Sequence, residues 1–167
     1  MKIKSIFNIL SSYGYWLPQV LFFEFYYLLK GYKRASIKIL NDDRYADSIP
    51  CPYFFLHKLK KFFLNSGIKS LVDLGCGDGR SLFFFNKQLK INYYGIEYNT
   101  SIYDSCKKTF KKYDNVQIIN DDILSFKFLK FDYDCFFIGG PLKKKSDFDK
   151  LIQKIHEKNM KNGKKIY

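Results

Sequence analysis

The residues best placed to do chemistry run from Asp73 to Gly79. Gly75 follows Asp73 by two residues, and Gly77 and Gly79 continue at every second position. Alternate glycines clear side chains from a sharp turn and let the backbone approach a ligand closely. The spacing excludes two familiar phosphate sites. A dinucleotide loop has its third glycine three positions after the second, and Arg80 stands there. A P-loop ends in Gly-Lys-Ser/Thr, and that ending is absent. The acid ahead of the loop suits a ligand with an ammonium group, which a diphosphate does not offer. Glu97 lies 24 residues after Asp73, near the spacing of an acid that grips ribose hydroxyls. A carboxylate can accept from both hydroxyls. No metal cluster competes with this site. Cys51, Cys76, Cys106 and Cys135 are scattered, and His57 and His156 are far apart, so we expect no metal and reduced cysteines.

These residues need elements to hold them. Leu71, Val72 and Leu74 read as a buried parallel strand. A helix with Leu82, Phe83 and Phe85 follows the loop and turns its N-terminal amides toward the same crevice. Asn92 to Asn99 reads as a second strand ending in Glu97, and a helix runs from about Ser101 to Lys112. Asn115 to Phe126 reads as a third strand with its exit turn, and Phe131 to Leu142 as a fourth. Ser146 is placed to cap a last helix whose apolar face is Phe148, Leu151, Ile152 and Ile155. Gly163 ends it, and Lys164 to Tyr167 begin what reads as a fifth strand. This order predicts an α/β fold, a parallel sheet with crossover helices. Upstream, Pro50 and Pro52 stiffen an extended lead-in to a helix with Phe55, Leu59, Phe62 and Phe63 on one face and Gly67 at its end.

Asp73-Leu74-Gly75-Cys76-Gly77-Asp78-Gly79 resembles the first motif of the class I, Rossmann-like S-adenosylmethionine-dependent methyltransferases at each defining position. The resemblance implies the cofactor S-adenosyl-L-methionine and the product S-adenosyl-L-homocysteine. It implies that Asp73, Gly75, Cys76, Gly77 and Gly79 wrap the methionine part, with Glu97 and Tyr98 beyond them. It places Asp122 and Ile123 at the adenine, with Asp121 as the alternative acid. It covers residues 50–167, a methyltransferase-like domain that stops near its fifth strand where the family continues to a seventh. Residues 1–49 form a helical N-terminal extension. The open sheet edge is a place for a partner. Substrate-facing residues follow the fourth strand in the family, and Gly139, Gly140 and Pro141 occupy that place without offering a base. Tyr45 and Tyr53 precede the domain where a lid would lie, and no catalytic residue is assigned. Pro50 to Tyr53, Gly77 to Arg80 and Gly95 to Asn99 are similar to two groups. One is the lysine methyltransferases related to the enzyme that modifies the ATP-synthase c subunit. The other is a set of small bacterial methyltransferases with a Pro-x-Pro lead-in.

Length and composition bound the rest. The chain has 167 residues, enough for one domain. With 47% apolar and 27% charged residues it is globular, not disordered. The net charge of +13 is spread along the chain. It permits attraction to nucleic acid or anionic membrane without marking a patch. The Asn/Asp-Pro-Pro-aromatic signature of many nucleic-acid and glutamine amino-methylating enzymes is missing, which lowers those substrates. Lys143, Lys144 and Lys145 read as a solvated basic turn or a dock for an anionic substrate. Tyr15 to Leu29 is nearly all apolar or aromatic but about five residues short of a bilayer span. It reads either as a helix packed on the domain or as an in-plane membrane helix flanked by Lys30, Lys33 and Arg34. The expected location is cytoplasmic, with peripheral membrane contact through residues 15–34. Three functions stand: methyl transfer to a protein side chain or small molecule, a cofactor-binding but inactive remnant or partner-dependent subunit, and RNA methylation.

Overall fold

Strand β1, Ser70–Leu74, is buried along its whole length as an inner strand of a parallel sheet covered on both faces. The computed structural model describes residues 11–34, 36–127 and 133–161, with side chains to residue 157. β1 pairs on one side with β2, Asn92–Glu97, and on the other with β4, Cys135–Ile138. β3, Val116–Asn120, lies outside β2, giving the order β3-β2-β1-β4. The chain therefore leaves β1 toward one side first and returns to its other side later. The carboxyl ends of β1 and β4 border the crevice where such sheets bind ligands. The register sets Asp73 opposite Gly95 and Phe137, and Glu97 opposite Asn120.

Helices cover both faces. α1 is Leu17–Leu29, entered through a 3₁₀ turn at Gly14–Trp16. Pro18 sits in its first turn, where the missing N–H costs nothing. Its end is a Schellman turn: the amide of Gly31 (φ +72°) donates to Leu28 O at 3.0 Å and that of Tyr32 to Tyr27 O at 3.0 Å. α2 is Tyr53–Ser66 and is closed by Gly67. α3, Arg80–Gln88, and α4, Thr100–Phe110, are the crossovers after β1 and β2. On this face Tyr27, Tyr53, Leu56, Leu82 and Phe84 share one core with Leu71. Gly95 of β2 makes the packing close: a Cβ there would meet Leu82 at 2.7 Å and the Cys76 sulfur at 2.8 Å. On the other face α5, Lys145–Lys161, packs Leu151 and Ile155 against Val72, Leu74 and Ile96.

Three details correct the sequence reading. In α2 the inward face is Tyr53, Leu56 and Phe63, and Phe62 is 53% exposed. The helix turns these residues toward α1 and α3, where Phe63 meets Phe85 at 5.1 Å. Among the described side chains of α5 only Leu151 and Ile155 are buried, while Phe148 and Ile152 face outward. α5 already begins at Lys145, so Ser146 lies inside its first turn. The fifth strand expected at Lys164 to Tyr167 lies outside the described residues.

Candidate functional site

A cavity opens at the carboxyl ends of β1, β2 and β4 and holds about 800 Å³ of atom-free space, part of it open to solvent. Its floor is the loop from Gly75 to Asp78, and Asp73 and Glu97 line it. The amides of Gly75 and Cys76 donate to Ile96 O at 2.9 and 3.0 Å, which pins the bend to β2. The glycines are needed for contacts with the protein itself. Gly75 (φ +79°) would drive a Cβ to 2.6 Å from the Cβ of Pro141, and Gly79 (φ +78°) to 2.5 Å from the Phe110 ring. Gly77 leaves room for the Ser48 hydroxyl, 2.7 Å from the place of its absent Cβ. The loop is thus clamped by β4's exit turn, α4 and the segment before α2.

Asp73 is 2% exposed, and its carboxylate accepts from the Ser81 hydroxyl in the first turn of α3. Burial pushes its pKa up to about 7; the Ser81 bond opposes the rise and the Glu97 charge adds to it. Glu97 is 6% exposed. One of its oxygens accepts from the Gly77 amide at 2.9 Å and the other from the Asn99 amide at 2.8 Å. Burial raises its pKa, while these two amides hold the rise in check. Two buried carboxylates thus face one hollow; among the described residues no basic side chain hydrogen-bonds to either, and only the more distant Lys38 charge is felt by Glu97. That arrangement suits a cation or a set of hydroxyl donors.

The far end of the cavity is aromatic and apolar: Leu40, Tyr45, Tyr98 and Ile123. Tyr45 stacks on Tyr98 with ring centres 4.5 Å apart and planes 20° apart, and its hydroxyl donates to the Asp122 carboxylate. Burial first, and then this bond, raises the phenol's pKa. Asp122 also accepts from the Leu124 amide at 2.7 Å and faces the Arg44 guanidinium at 3.5 Å. Tyr45 is fixed from the opposite side. The Ala46 amide donates to Pro141 O at 2.9 Å, the Lys143 amide donates to Arg44 O at 2.9 Å, and Tyr45 bridges Leu142 in antiparallel fashion. The residues after β4 and the strap before α2 therefore form one wall.

Most of the residues singled out in the sequence meet here. Asp73, Gly75, Cys76, Gly77, Glu97, Tyr98, Ile123, Tyr45, Gly139, Gly140 and Pro141 all line the cavity. Gly79 lies behind the loop against α4. With Gly79 outside the lining, three more residues differ from expectation. Asp122 does not line the cavity, because Tyr45 and the turn after β3 occupy its carboxylate. Asp121 is exposed, and its carboxylate accepts from the Asp122 amide at 2.7 Å. Tyr53 is fully buried beneath α1, with its hydroxyl donating to Lys33 O at 2.6 Å and its ring 3.8 Å from the Arg80 guanidinium. It is part of the core and not of the cavity wall. Among the described residues no group of His, Cys, Asp and Glu stands close enough to hold a metal ion.

Sequence reasoning missed the strap residues Asp47 to Cys51, along with Arg80 and Ser81, all of which line the cavity. Ser81 had a signal: a buried acid at Asp73 needs a donor, and the first turn of the next helix is within reach. Arg80 had none. It is 2% exposed and bonds to Glu24 of α1 and to Cys51 O at 3.2 Å, tying the N-terminal segment to the loop.

Comparison with known proteins bears on the family and the fold. A family model described as methyltransferase domain matches residues 71–163. The methyltransferase domain of bacterial CtHen1 superposes with a TM-score of 0.53 at 15% identity, covering 62% of this chain and 58% of its own. The Podospora anserina methyltransferase PaMTH1, solved with SAH bound, superposes with a TM-score of 0.55 at 17% identity, covering 66% of this chain and 49% of its own. This chain thus spans about half the length of those structures, and both share its fold. No curated protein matches it.

Proposed function

The chain belongs to the methyltransferase-domain family, and we propose that it binds S-adenosyl-L-methionine and transfers the methyl group to a protein side chain or small molecule. The observation that carries this reading is the pair of buried carboxylates, Asp73 and Glu97, facing one hollow above the glycine bend. The cofactor, when bound, supplies an electrophilic methyl on a positively charged sulfur. The protein supplies position and exclusion of water. Asp73 receives the ammonium of the methionine part, and the N-terminus of α3 favours its carboxylate. Glu97 accepts from the ribose hydroxyls. Adjacent strands are about 4.8 Å apart, so the step from Asp73 to Glu97 runs from β1 toward β3. The base then falls among Leu40, Tyr45, Tyr98 and Ile123.

The acceptor reaches the methyl past Gly139 to Pro141 and Pro50 to Cys51. Gly139, Gly140 and Pro141 carry no titratable group. Burial pushes the Cys51 thiol up to about 12, so it stays neutral. Calorimetry with S-adenosyl-L-homocysteine tests the cofactor half, and methyl transfer from labelled cofactor into peptide and metabolite pools tests the rest. A folded sample with no affinity for S-adenosyl-L-homocysteine would sink the reading.

A further inference from the structure

α1 buries one side and shows the other. Val20 and Tyr27 face the core, while Phe22 is 63%, Phe25 64% and Leu29 73% exposed. Tyr15, Trp16, Leu21 and Tyr26 extend the same exposed surface. Contiguous exposed apolar surface of this kind marks an interaction site.

Among the described residues of α1 and α2 the outward-facing charges are all of one sign. α1 and α2 together contain one carboxylate, Glu24, and the fold turns it inward to the Tyr53 amide at 2.9 Å and to Arg80. What remains at the rim is basic. Lys30 lies 4.4 Å over the Tyr26 ring, and Lys58 lies 4.2 Å over Trp16. Arg34 and Lys61 are exposed. A bare apolar face with aromatic rings at its border and a cationic rim complements an anionic bilayer: apolar side chains enter the acyl boundary while lysines meet phosphates. No helix among the described residues is long and apolar enough to cross a membrane.

From this we infer that α1 docks the protein on anionic lipid, lying in the plane of the surface with Phe22, Phe25 and Leu29 inserted. The cavity's chemistry plays no part in this inference, so it stands or falls apart from the methyl-transfer reading.

Trp16 is the chain's one tryptophan, so its fluorescence reports the contact directly. The full chain is mixed with vesicles of phosphatidylglycerol and phosphatidylcholine in equal parts, or of phosphatidylcholine alone. Docking predicts co-sedimentation, a blue shift and quenching by brominated acyl chains with the anionic vesicles, much weaker with the neutral ones. Lys58→Gln with Lys61→Gln should lower partitioning about 25-fold, taking about fivefold per cation near the surface. Phe22→Ser with Phe25→Ser should abolish the blue shift, and both residues are exposed enough to leave the fold intact. No shift and no quenching with either vesicle would overturn the inference. So would a dimer that shields Trp16 and ignores vesicles, or binding that emerges only once residues 1–10 are removed.

Discussion

The cavity has two ends built in different ways. At the near end one run of sequence, Asp73 to Ser81, supplies the acid, the bend, the helix terminus and the donor that holds the acid. At the far end Tyr45, Tyr98 and Ile123 come from three separate segments, and Asp122 holds Tyr45 from 77 residues away. The near end keeps its carboxylate at the cavity, at the cost of a pKa raised to about 7. The far end uses its carboxylate up on the protein. On the proposed function, charge recognition belongs to the near end, and shape with stacking belongs to the far one.

The largest effect should come from removing the near end's charge. Asp73→Asn keeps the shape and the Ser81 contact but cannot pair with an ammonium. Losing one partner of a buried charge pair costs about 3 kcal/mol, so affinity for S-adenosyl-L-homocysteine should fall more than about 100-fold by calorimetry. Thermal stability at pH 8 should hold or rise, because an ionised carboxylate no longer needs burying. A variant that binds normally would move charge recognition away from this end.

Next is the rigidity of the bend. Gly79→Ala combines a left-handed backbone with a Cβ 2.5 Å from the Phe110 ring. Gly67→Ala has the strained backbone, φ +65°, but open space around it. Overpacking adds about 2 kcal/mol, so urea unfolding should show Gly79→Ala that much less stable than Gly67→Ala. Equal losses would mean that α4 yields and the bend is not clamped.

The raised pKa gives a smaller, graded effect. A cationic group selects the ionised form of Asp73, so binding is insensitive to pH above about 7 and weakens below it as a proton must leave. Affinity should drop about tenfold for each pH unit below 7, and Asp73→Asn should flatten this slope. Folding of the ligand-free protein runs the other way. Folded Asp73 keeps its proton to about 7 whereas the unfolded chain releases it near 3.8. Stability from this group is then lost as pH rises between those values and is constant above them.

The contrast also explains what could be read beforehand. The strand, bend and helix around Asp73 were legible because their pattern is local: a buried apolar run, glycines at fixed offsets and an amphipathic helix. The parallel order followed from alternating strands and helices. The position of Asp122 after β3 is visible in the sequence, but its partner in the fold is not. Nothing in the sequence around Tyr45 shows that its hydroxyl will reach an acid 77 residues on. Tyr53 differs from its sequence reading for a related reason. A tyrosine beside two prolines looks like a loop residue, and only the packing of α1 over α2 makes it core. Phe62 and Phe63 are neighbours of equal hydrophobicity, so only the partner helix decides which one turns inward.

The smallest effect is also the sharpest test of the far end. Tyr45→Phe removes one hydroxyl, leaving the stack on Tyr98 and the Leu124 amide bond to Asp122 in place. The bond positions a wall and touches no ligand atom, so only part of the roughly 1.5–3 kcal/mol that a hydrogen bond to a charged group is worth reaches the ligand, and affinity for S-adenosyl-L-homocysteine should fall no more than about tenfold. If Asp122 acts only through Tyr45, Asp122→Ala should cost about as much, and the double variant should cost no more than either single one. A nucleobase that bonds Asp122 directly predicts otherwise. Asp122→Ala would then exceed Tyr45→Phe, and Tyr45→Phe would strengthen binding by freeing the carboxylate. The sign of the Tyr45→Phe change thus decides whether this carboxylate belongs to the ligand or to the wall.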